Sequence, residues 1–524
     1  MIEVDKILSR VETLLEKEDY RSVILLAEGM ESPEGPLAAP SFEHKRISLC
    51  LARAKYHIHD YQGTSRVLSG LKILYPGIED EKDHLFLESQ LLLMKGDAAG
   101  AIRLLDHALE SDRPKEDEFF IRFCLAKASF WKGDYLTANL LLEACRHYYG
   151  TREDAFMLGN VNYMLGYTAF QRSFFDQADS WYSSAIECYE KSGSDRQVAA
   201  AWHMTGILRY RTGKYAEAEQ LLRKSGKAFE KSGDQAGVTE SLIARARVHM
   251  YRGELEESEA LLQRAYSRAG SSGYKRGTAL SAEFLGEIAM RQGKTERALR
   301  YLEEARELGD GISREGDIAA EVCRRLGDLY IMLGDREKAS ENLSRALEIS
   351  VKLHDDHELA CVLRGYALLE SQRGCYELSL SYFNEAISLL RMINERFELA
   401  CTCMTAARAF SRWSTLEGED NIDPRQLLRD ARVFATEAAH LYQSLGLEDR
   451  IEECERLAGR LLNENYRAED LSGCRAIEFS GDWICEDCIV ARSPQMKQVV
   501  AKTLSLAGSR VPVLITGETG TGKE

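Results

Sequence analysis

The chain has 524 residues, a net charge of −16 and only 8 prolines. A protein that binds nucleic acid along much of its surface is normally basic, so this acidic balance excludes direct nucleic-acid binding as the main role. Scarce proline favours continuous helix, and runs rich in β-branched residues are almost absent before residue 511. We therefore expect helices over most of the chain and little sheet.

The sequence also predicts a location. No apolar run reaches the ~18–20 residues that cross a bilayer, and the acidic, amphipathic N-terminus does not look like a signal peptide. The 13 cysteines are scattered, several at positions on a helix face, which is typical of reduced thiols packed as small apolar residues. We expect a cytoplasmic protein without membrane contact.

A short phrase centred on glycine recurs from residue 96 onward, with steps of 37 to 41 residues. Weaker copies near residues 19 and 60 bring the number of units to about ten. Fixed periods of this length are typical of stacked repeats. The central residues of the strong copies are Gly96, Gly133, Ser173, Gly213, Gly253, Gly293, Gly334 and Gly374.

Each unit repeats the same internal pattern of residue sizes. A small residue precedes the central glycine by seven positions and another follows it by five, as Gly327 and Ala339 do around Gly334. Four residues later comes a large apolar side chain, which fills the groove between two closely approaching helices. The glycine phrase ends the first helix and turns the chain into the second. The large residues are Leu142, Tyr182, Leu222, Leu262, Leu302, Leu343 and Phe383.

This pattern resembles the tetratricopeptide repeat in a long-helix form, as the run 326–330 followed by Gly334, Ala339, Leu343 and Ala346 illustrates. The resemblance covers about residues 1–465. It implies an all-α solenoid of about ten helical hairpins with a period near 40, in which stacked neighbours bury the core. It also implies a concave surface that presents itself to a protein or peptide partner.

Two residues in the first helix of each hairpin are predicted to line that surface. They stand four and five positions after the small residue of that helix. Aromatic, Met and Arg side chains repeated on one face suit a binding surface. Packing between repeats is the alternative, and it is favoured for the first member of each pair. The candidate partner-binding residues are Trp131, Tyr210, Arg211, Met250, Tyr251, Arg291 and Met332.

After residue 465 the pattern stops, and residues 466–490 are predicted to be a linker. Residues 491–524 carry five basic and two acidic side chains, whereas residues 1–490 have a net charge of −19. Residues 511–516 form the only clear buried-strand run, and a GxxxxGK phosphate loop follows at once. The candidate nucleotide-binding residues are Gly517, Glu518, Thr519, Gly520, Thr521, Gly522, Lys523 and Glu524.

Residues 492–496 and 513–524 look like the opening of the AAA+ domain of bacterial enhancer-binding proteins, which activate RNA polymerase carrying sigma-54. Glu524 replaces the general Ser or Thr, as is common in that family. The resemblance implies a bacterial transcription regulator whose intact AAA+ domain binds ATP and Mg²⁺ and contacts sigma-54. The sequence given stops inside the phosphate loop. We therefore expect it to bind no cofactor well and not to be an enzyme, whereas a full-length relative would be an AAA+ ATPase.

Two other functions remain open. The chain could be a stand-alone interaction scaffold with a vestigial phosphate loop, which a stop codon directly after Glu524 would favour. A signalling NTPase with attached helical repeats usually has its NTPase first, and here the order is reversed. Residues 1–490 offer no catalytic candidate. No metal site is predicted, because Cys474, Cys485 and Cys488 lack an obvious fourth ligand and the pairs His57/His59 and His354/His357 suit surface or packing roles.

Overall fold

We analysed a computed structural model of the protein. It describes residues 2–16, 20–30, 41–58, 60–414, 424–468, 476–479 and 482–485.

The described part of the chain up to residue 468 is helical, apart from short connections and the 3-10 turn Ile78–Asp80. Helices α1 to α22 follow one another as eleven antiparallel hairpins, and α23 comes last. The first eleven helices are α1 Ile2–Glu16, α2 Tyr20–Met30, α3 Phe42–His57, α4 Tyr61–Leu74, α5 Lys82–Met94, α6 Ala98–Leu109, α7 Lys115–Trp131, α8 Tyr135–Thr151, α9 Ala155–Gln171, α10 Phe175–Lys191 and α11 Asp195–Arg211.

The remaining helices continue the same alternation, with odd numbers for the first helix of a hairpin and even numbers for the second. The predicted all-α solenoid of about ten hairpins is confirmed. These helices are α12 Tyr215–Lys231, α13 Gln235–Tyr251, α14 Leu255–Ser272, α15 Lys275–Arg291, α16 Thr295–Ile312, α17 Asp317–Leu333, α18 Arg336–Leu353, α19 Asp356–Arg373, α20 Tyr376–Met392, α21 Arg396–Trp413, α22 Pro424–Ser444 and α23 Glu448–Ala468.

The recurring glycine phrase forms the turn inside each hairpin, as predicted. Gly133 follows the end of α7 with a φ of 84°, a left-handed conformation that only glycine adopts without strain. The next residue, Asp134, caps α8 by accepting a hydrogen bond from the Thr137 N–H at 3.0 Å. Ser173 occupies the glycine place in the following hairpin with a φ of 59°.

Small and large residues interlock across each hairpin. A methyl group added to Gly206 would lie 2.7 Å from Leu222 Cγ, and one added to Gly286 would lie equally close to Leu302 Cγ. Leu222 and Leu302 are fully buried. The predicted pairing of a small residue in the first helix with a large one in the second is thus the core of the repeat.

Hairpins far apart in the chain also meet. The Ser173 hydroxyl donates a hydrogen bond to the carbonyl oxygen of Ile393, 220 residues away. Arg211 pairs with Glu395, and the rings of Tyr251 and Phe397 lie 4.1 Å apart. The array therefore winds into a superhelix whose successive turns touch.

A short antiparallel hairpin lies inside the segment predicted to be a linker. Strand β1, Ala476–Phe479, pairs with β2, Asp482–Cys485, so that Ile477 faces Ile484 and Glu478 faces Trp483. Sequence reasoning found no strand there because each run has four residues, too few to show an alternating pattern. The strand predicted at 511–516 lies outside the described residues.

Candidate functional site: the inner cavity of the superhelix

The superhelix encloses a cavity of about 1940 Å³. One repeat position, six residues before the turn residue, lines it in nine successive first helices, α5 to α21. Sequence reasoning missed this position because its residue type changes from repeat to repeat, whereas the structural positions keep theirs. The sequence did offer one signal for a cavity-lining position: its residue is neither regularly small nor regularly apolar from repeat to repeat. Its occupants are Gln90, Lys127, Tyr167, Ile207, Arg247, Glu287, Asp328, Leu368 and Arg408.

All seven predicted partner-binding residues line the same cavity. Trp131 and Met332 present 55% and 54% of their surface to solvent, so they are available for contact. Tyr210 and Met250 are 98% buried and mainly pack between helices, as favoured for the first member of each pair. Tyr251 is buried against Phe397, and Arg211 and Arg291 are partly buried. Their role in binding stays a prediction.

The part of the cavity formed by α7 to α9 is aromatic. Phe130 forms its floor, with the Tyr167 ring 4.9 Å and the Tyr135 ring 5.4 Å from its own. Trp131 lies 6.5 Å from Tyr167 and leaves much of its indole exposed. Offset and tilted rings at these separations form a rigid surface that can take a partner's apolar or aromatic side chain.

The part formed by α15 to α21 is charged. Arg325 pairs with Glu283 at 2.6 Å, and this ion pair joins α15 to α17. Arg324 to Glu358 at 2.6 Å joins α17 to α19. A third ion pair, between Arg364 and Glu398 at 2.7 Å, joins α19 to α21. Because a buried charge that loses its partner is costly, these pairs fix the spacing of successive first helices.

The ion pairs set the pKa values of the cavity carboxyls. Burial raises the pKa of Glu287, but Arg325 and Arg291 outweigh it and hold that pKa at about 2. Burial dominates at Glu358 in spite of Arg324, and Glu321 and Asp355 add to it, so the pKa of Glu358 lies above its usual value. The two carboxyls thus shift in opposite directions, because two arginines outweigh burial at Glu287 and one arginine does not at Glu358.

Within the described ranges, one group of side chains has the spacing of metal ligands. His357, Glu358 and Cys361 place one donor atom each within 4.8 Å of one another. Glu358 is already paired with Arg324. Burial and the charge of Arg211 lower the pKa of His357 to about 3, with Arg247 and Arg324 contributing. A positive surrounding of this kind opposes the binding of a metal cation.

The other predicted site residues lie elsewhere. The phosphate-loop residues 517–524 are outside the described residues, as are Cys474 and Cys488. Cys485 ends strand β2. Of the scattered cysteines, Cys124, Cys188 and Cys323 are buried free thiols, in agreement with their predicted packing role.

Two known families match separate regions of the chain. Residues 158–231, 238–309 and 318–392 match the family model described as tetratricopeptide repeat. These residues are tetratricopeptide repeats. Residues 489–524 match the sigma-54 interaction domain, which agrees with the predicted start of an AAA+ domain. No curated protein matches the chain.

Several solved structures match this chain at low sequence identity. A Rap protein complexed with competence and sporulation factor is 14% identical, with a TM-score of 0.46 over 75% of this chain and 100% of that one. The Rap conjugation gene regulator of plasmid pLS20, in complex with the Phr* peptide, is 16% identical, with a TM-score of 0.48. The match covers 70% of this chain and 97% of that one. A STAND protein with a tetratricopeptide-repeat sensor from Pyrococcus horikoshii is 16% identical, with a TM-score of 0.41. The match covers 69% of this chain and 54% of that one.

Of the described helices, none combines the length and the hydropathy that crossing a bilayer requires.

Proposed function

We propose that this chain is the partner-sensing, regulatory part of a sigma-54-interacting transcription regulator. The observation that carries the proposal is the order of its two matches, a tetratricopeptide-repeat array followed by the start of a sigma-54 interaction domain. A protein or peptide partner binds in the inner cavity of the array. The bound state then controls an ATP-driven domain that remodels the sigma-54 polymerase complex.

The cavity supports this role physically. It is continuous across many repeats, and it offers an exposed indole and an exposed thioether at Trp131 and Met332. Large, rigid side chains of this kind commonly supply the binding energy of protein interfaces. The segment that follows supplies Lys523, the residue that would contact the β- and γ-phosphates of ATP.

The test is reconstituted transcription from a sigma-54 promoter, using the product of the complete reading frame. We expect transcripts that require ATP and sigma-54 and that disappear in Lys523→Ala. Equal transcription with and without the protein, or with Lys523→Ala, would contradict the proposal and favour the interaction scaffold.

The sensing half has its own test in the same assay. Trp131→Ala combined with Met332→Ala should change the transcriptional response to cell extract from the source organism, because both side chains face the cavity. The matched control is Leu136→Ala with Leu140→Ala, two residues that are 72% and 66% exposed and lie outside the cavity lining. Equal transcriptional responses of the two double variants would show that the cavity is not the sensing site.

A further inference from the structure

Glu283, in the middle of α15, has a fully buried carboxyl group that is only half satisfied by hydrogen bonds. None of its side chain is exposed. Oε1 accepts a hydrogen bond from Arg325 Nε at 2.6 Å. Oε2 is also buried, and no described residue donates a hydrogen bond to it. An ionised carboxylate needs donors at its oxygens, so a bare oxygen in a desolvated place is unfavourable for the charged form.

The group beside Glu283 is a second carboxyl and not a donor. Glu321 precedes Arg325 by four residues on α17, so both side chains stand on the helix face that meets α15. The Glu321 carboxyl lies within hydrogen-bond reach of Glu283. Two ionised carboxylates would repel each other at this distance, whereas a single proton between them makes a charge-assisted hydrogen bond.

The arginine that contacts this carboxyl pair is shared. Arg325 also contacts Glu287, one turn further along α15, so three carboxyl groups draw on its charge. Glu287 has Arg291 as well, at 2.5 Å. From α13 the charge of Arg247 acts on Glu321, but no ion pair joins the two within the described ranges. The two carboxyls of the pair are therefore left with a shared guanidinium.

Two acids at the start of α19 add negative charge to this region. The carboxyls of Asp355 and Glu358 lie close enough to Glu321 for the charges to act on one another. Arg324 is engaged with Glu358 at 2.6 Å. Removing one negative charge by protonation is therefore favourable here.

The two second helices beside α15 present an apolar surface to it. α14 and α16 pack on α15 through apolar side chains such as Leu262 and Leu302. Burial therefore dominates at Glu283, and the charge of Glu321 adds to it, so the pKa of Glu283 lies well above its usual value in spite of Arg325. The bare oxygen, the neighbouring carboxyl and the shared arginine all favour a protonated group at this place.

We propose that Glu283 and Glu321 share one proton at neutral pH, which joins α15 to α17 through a carboxyl–carboxylate hydrogen bond that opens as the pH rises. The step is an acid–base equilibrium. The proton leaves its carboxyl oxygen for a water molecule or a buffer base, and the pair goes from one negative charge to two. The two carboxylates then repel each other across the contact between neighbouring hairpins. This inference goes beyond the proposed function, because it needs neither sigma-54 nor a partner.

Urea unfolding of the whole chain at several pH values tests the shared proton. A carboxyl whose pKa is raised by folding stabilises the protein below its unfolded pKa, and that stability is lost as the pH rises through the folded pKa. In Glu283→Gln the amide can donate to Glu321 and accept from Arg325 at every pH. Between pH 5 and pH 8, the unfolding equilibrium constant of wild type should therefore grow relative to that of Glu283→Gln, by up to about tenfold per pH unit, which is the effect of one proton.

Glu398→Gln is the matched control, because Glu398 also joins two first helices through an arginine, Arg364 at 2.7 Å. In spite of burial, Arg364 holds the pKa of Glu398 below its usual value. Glu398→Gln should therefore change with pH in parallel with wild type over this range. A parallel pH dependence of wild type and Glu283→Gln would overturn the inference.

Infrared spectroscopy of the whole chain at pH 7 observes the proton directly, since a protonated carboxyl group has a carbonyl stretch that a carboxylate lacks. The wild-type spectrum should contain a band that is missing in both Glu283→Gln and Glu321→Gln and kept in Glu398→Gln. Glu321 is only half-buried, so its variant provides the test if Glu283→Gln does not fold. A band that survives in either of the first two variants would overturn the inference.

Discussion

Single charged residues in the cavity determine how the array responds to pH. Glu287 lies on α15 between Arg291, at 2.5 Å, and Arg325. The charges of Arg325 and Arg291 outweigh burial, so the pKa of Glu287 falls below the usual 4.5, to about 2. A carboxyl whose pKa is lowered by folding stabilises the protein above the unfolded pKa. That contribution is lost as the pH falls towards the folded pKa.

We therefore predict that the wild-type protein loses about 2 kcal/mol more stability than Glu287→Gln between pH 6 and pH 3. The measurement is urea unfolding at both pH values. Glu287→Gln should be less stable than wild type at pH 6, because Arg325 and Arg291 each lose a charged partner. The difference between the two proteins should shrink at pH 3. An equal pH dependence would contradict the assigned ion pairing.

At the scale of the element, the helical hairpin is the part of the fold that sequence predicts best. The turn glycine, the small residue and the large residue keep their places over a 40-residue step, and each place has one structural reason. Gly286 is small because Leu302 fills the space where a side chain would stand. The β1–β2 hairpin escaped prediction because it occurs once and offers no repetition.

Two glycines in neighbouring hairpins test this reasoning. Gly286→Ala should lower the free energy of unfolding by about 1–3 kcal/mol, because the added methyl group would lie 2.7 Å from Leu302 Cγ in a packed core. A methyl group added to Gly270 on α14 would have no neighbour within 4 Å. Gly270→Ala should therefore raise the free energy of unfolding by about 0.5–1 kcal/mol, the usual gain of alanine over glycine in a helix. Urea unfolding of both variants gives the comparison. Equal effects would show that α15 and α16 do not pack this closely.

At the scale of the whole molecule, the sequence predicted a concave surface but not the contacts between successive turns of the superhelix. The seven predicted residues line the cavity, since one helical face can be counted from the repeat. The contact of Tyr251 with Phe397 could not be foreseen, because it depends on small rotations between repeats that add up over several hairpins. Arg247 was missed for a related reason: its repeat position holds a different residue type in each neighbouring unit.

The contacts between successive turns should therefore control the width of the cavity. Glu395 is 96% buried at its side chain and pairs with Arg211 from a hairpin one turn away. Glu395→Arg would place two cations together, and losing one member of such a pair costs about 3–5 kcal/mol. We predict a lower thermal midpoint and a larger radius of gyration in X-ray scattering.

The exchanged variant Arg211→Glu with Glu395→Arg keeps the opposite charges in place and should recover the compact radius. If Glu395→Arg leaves the radius unchanged, the turns are held together by the aromatic and hydroxyl contacts alone. If the exchanged variant stays expanded, the side chains pack too specifically for reversal. Recovery would mean that one ion pair, 184 positions apart in the sequence, decides whether the cavity is closed around its partner.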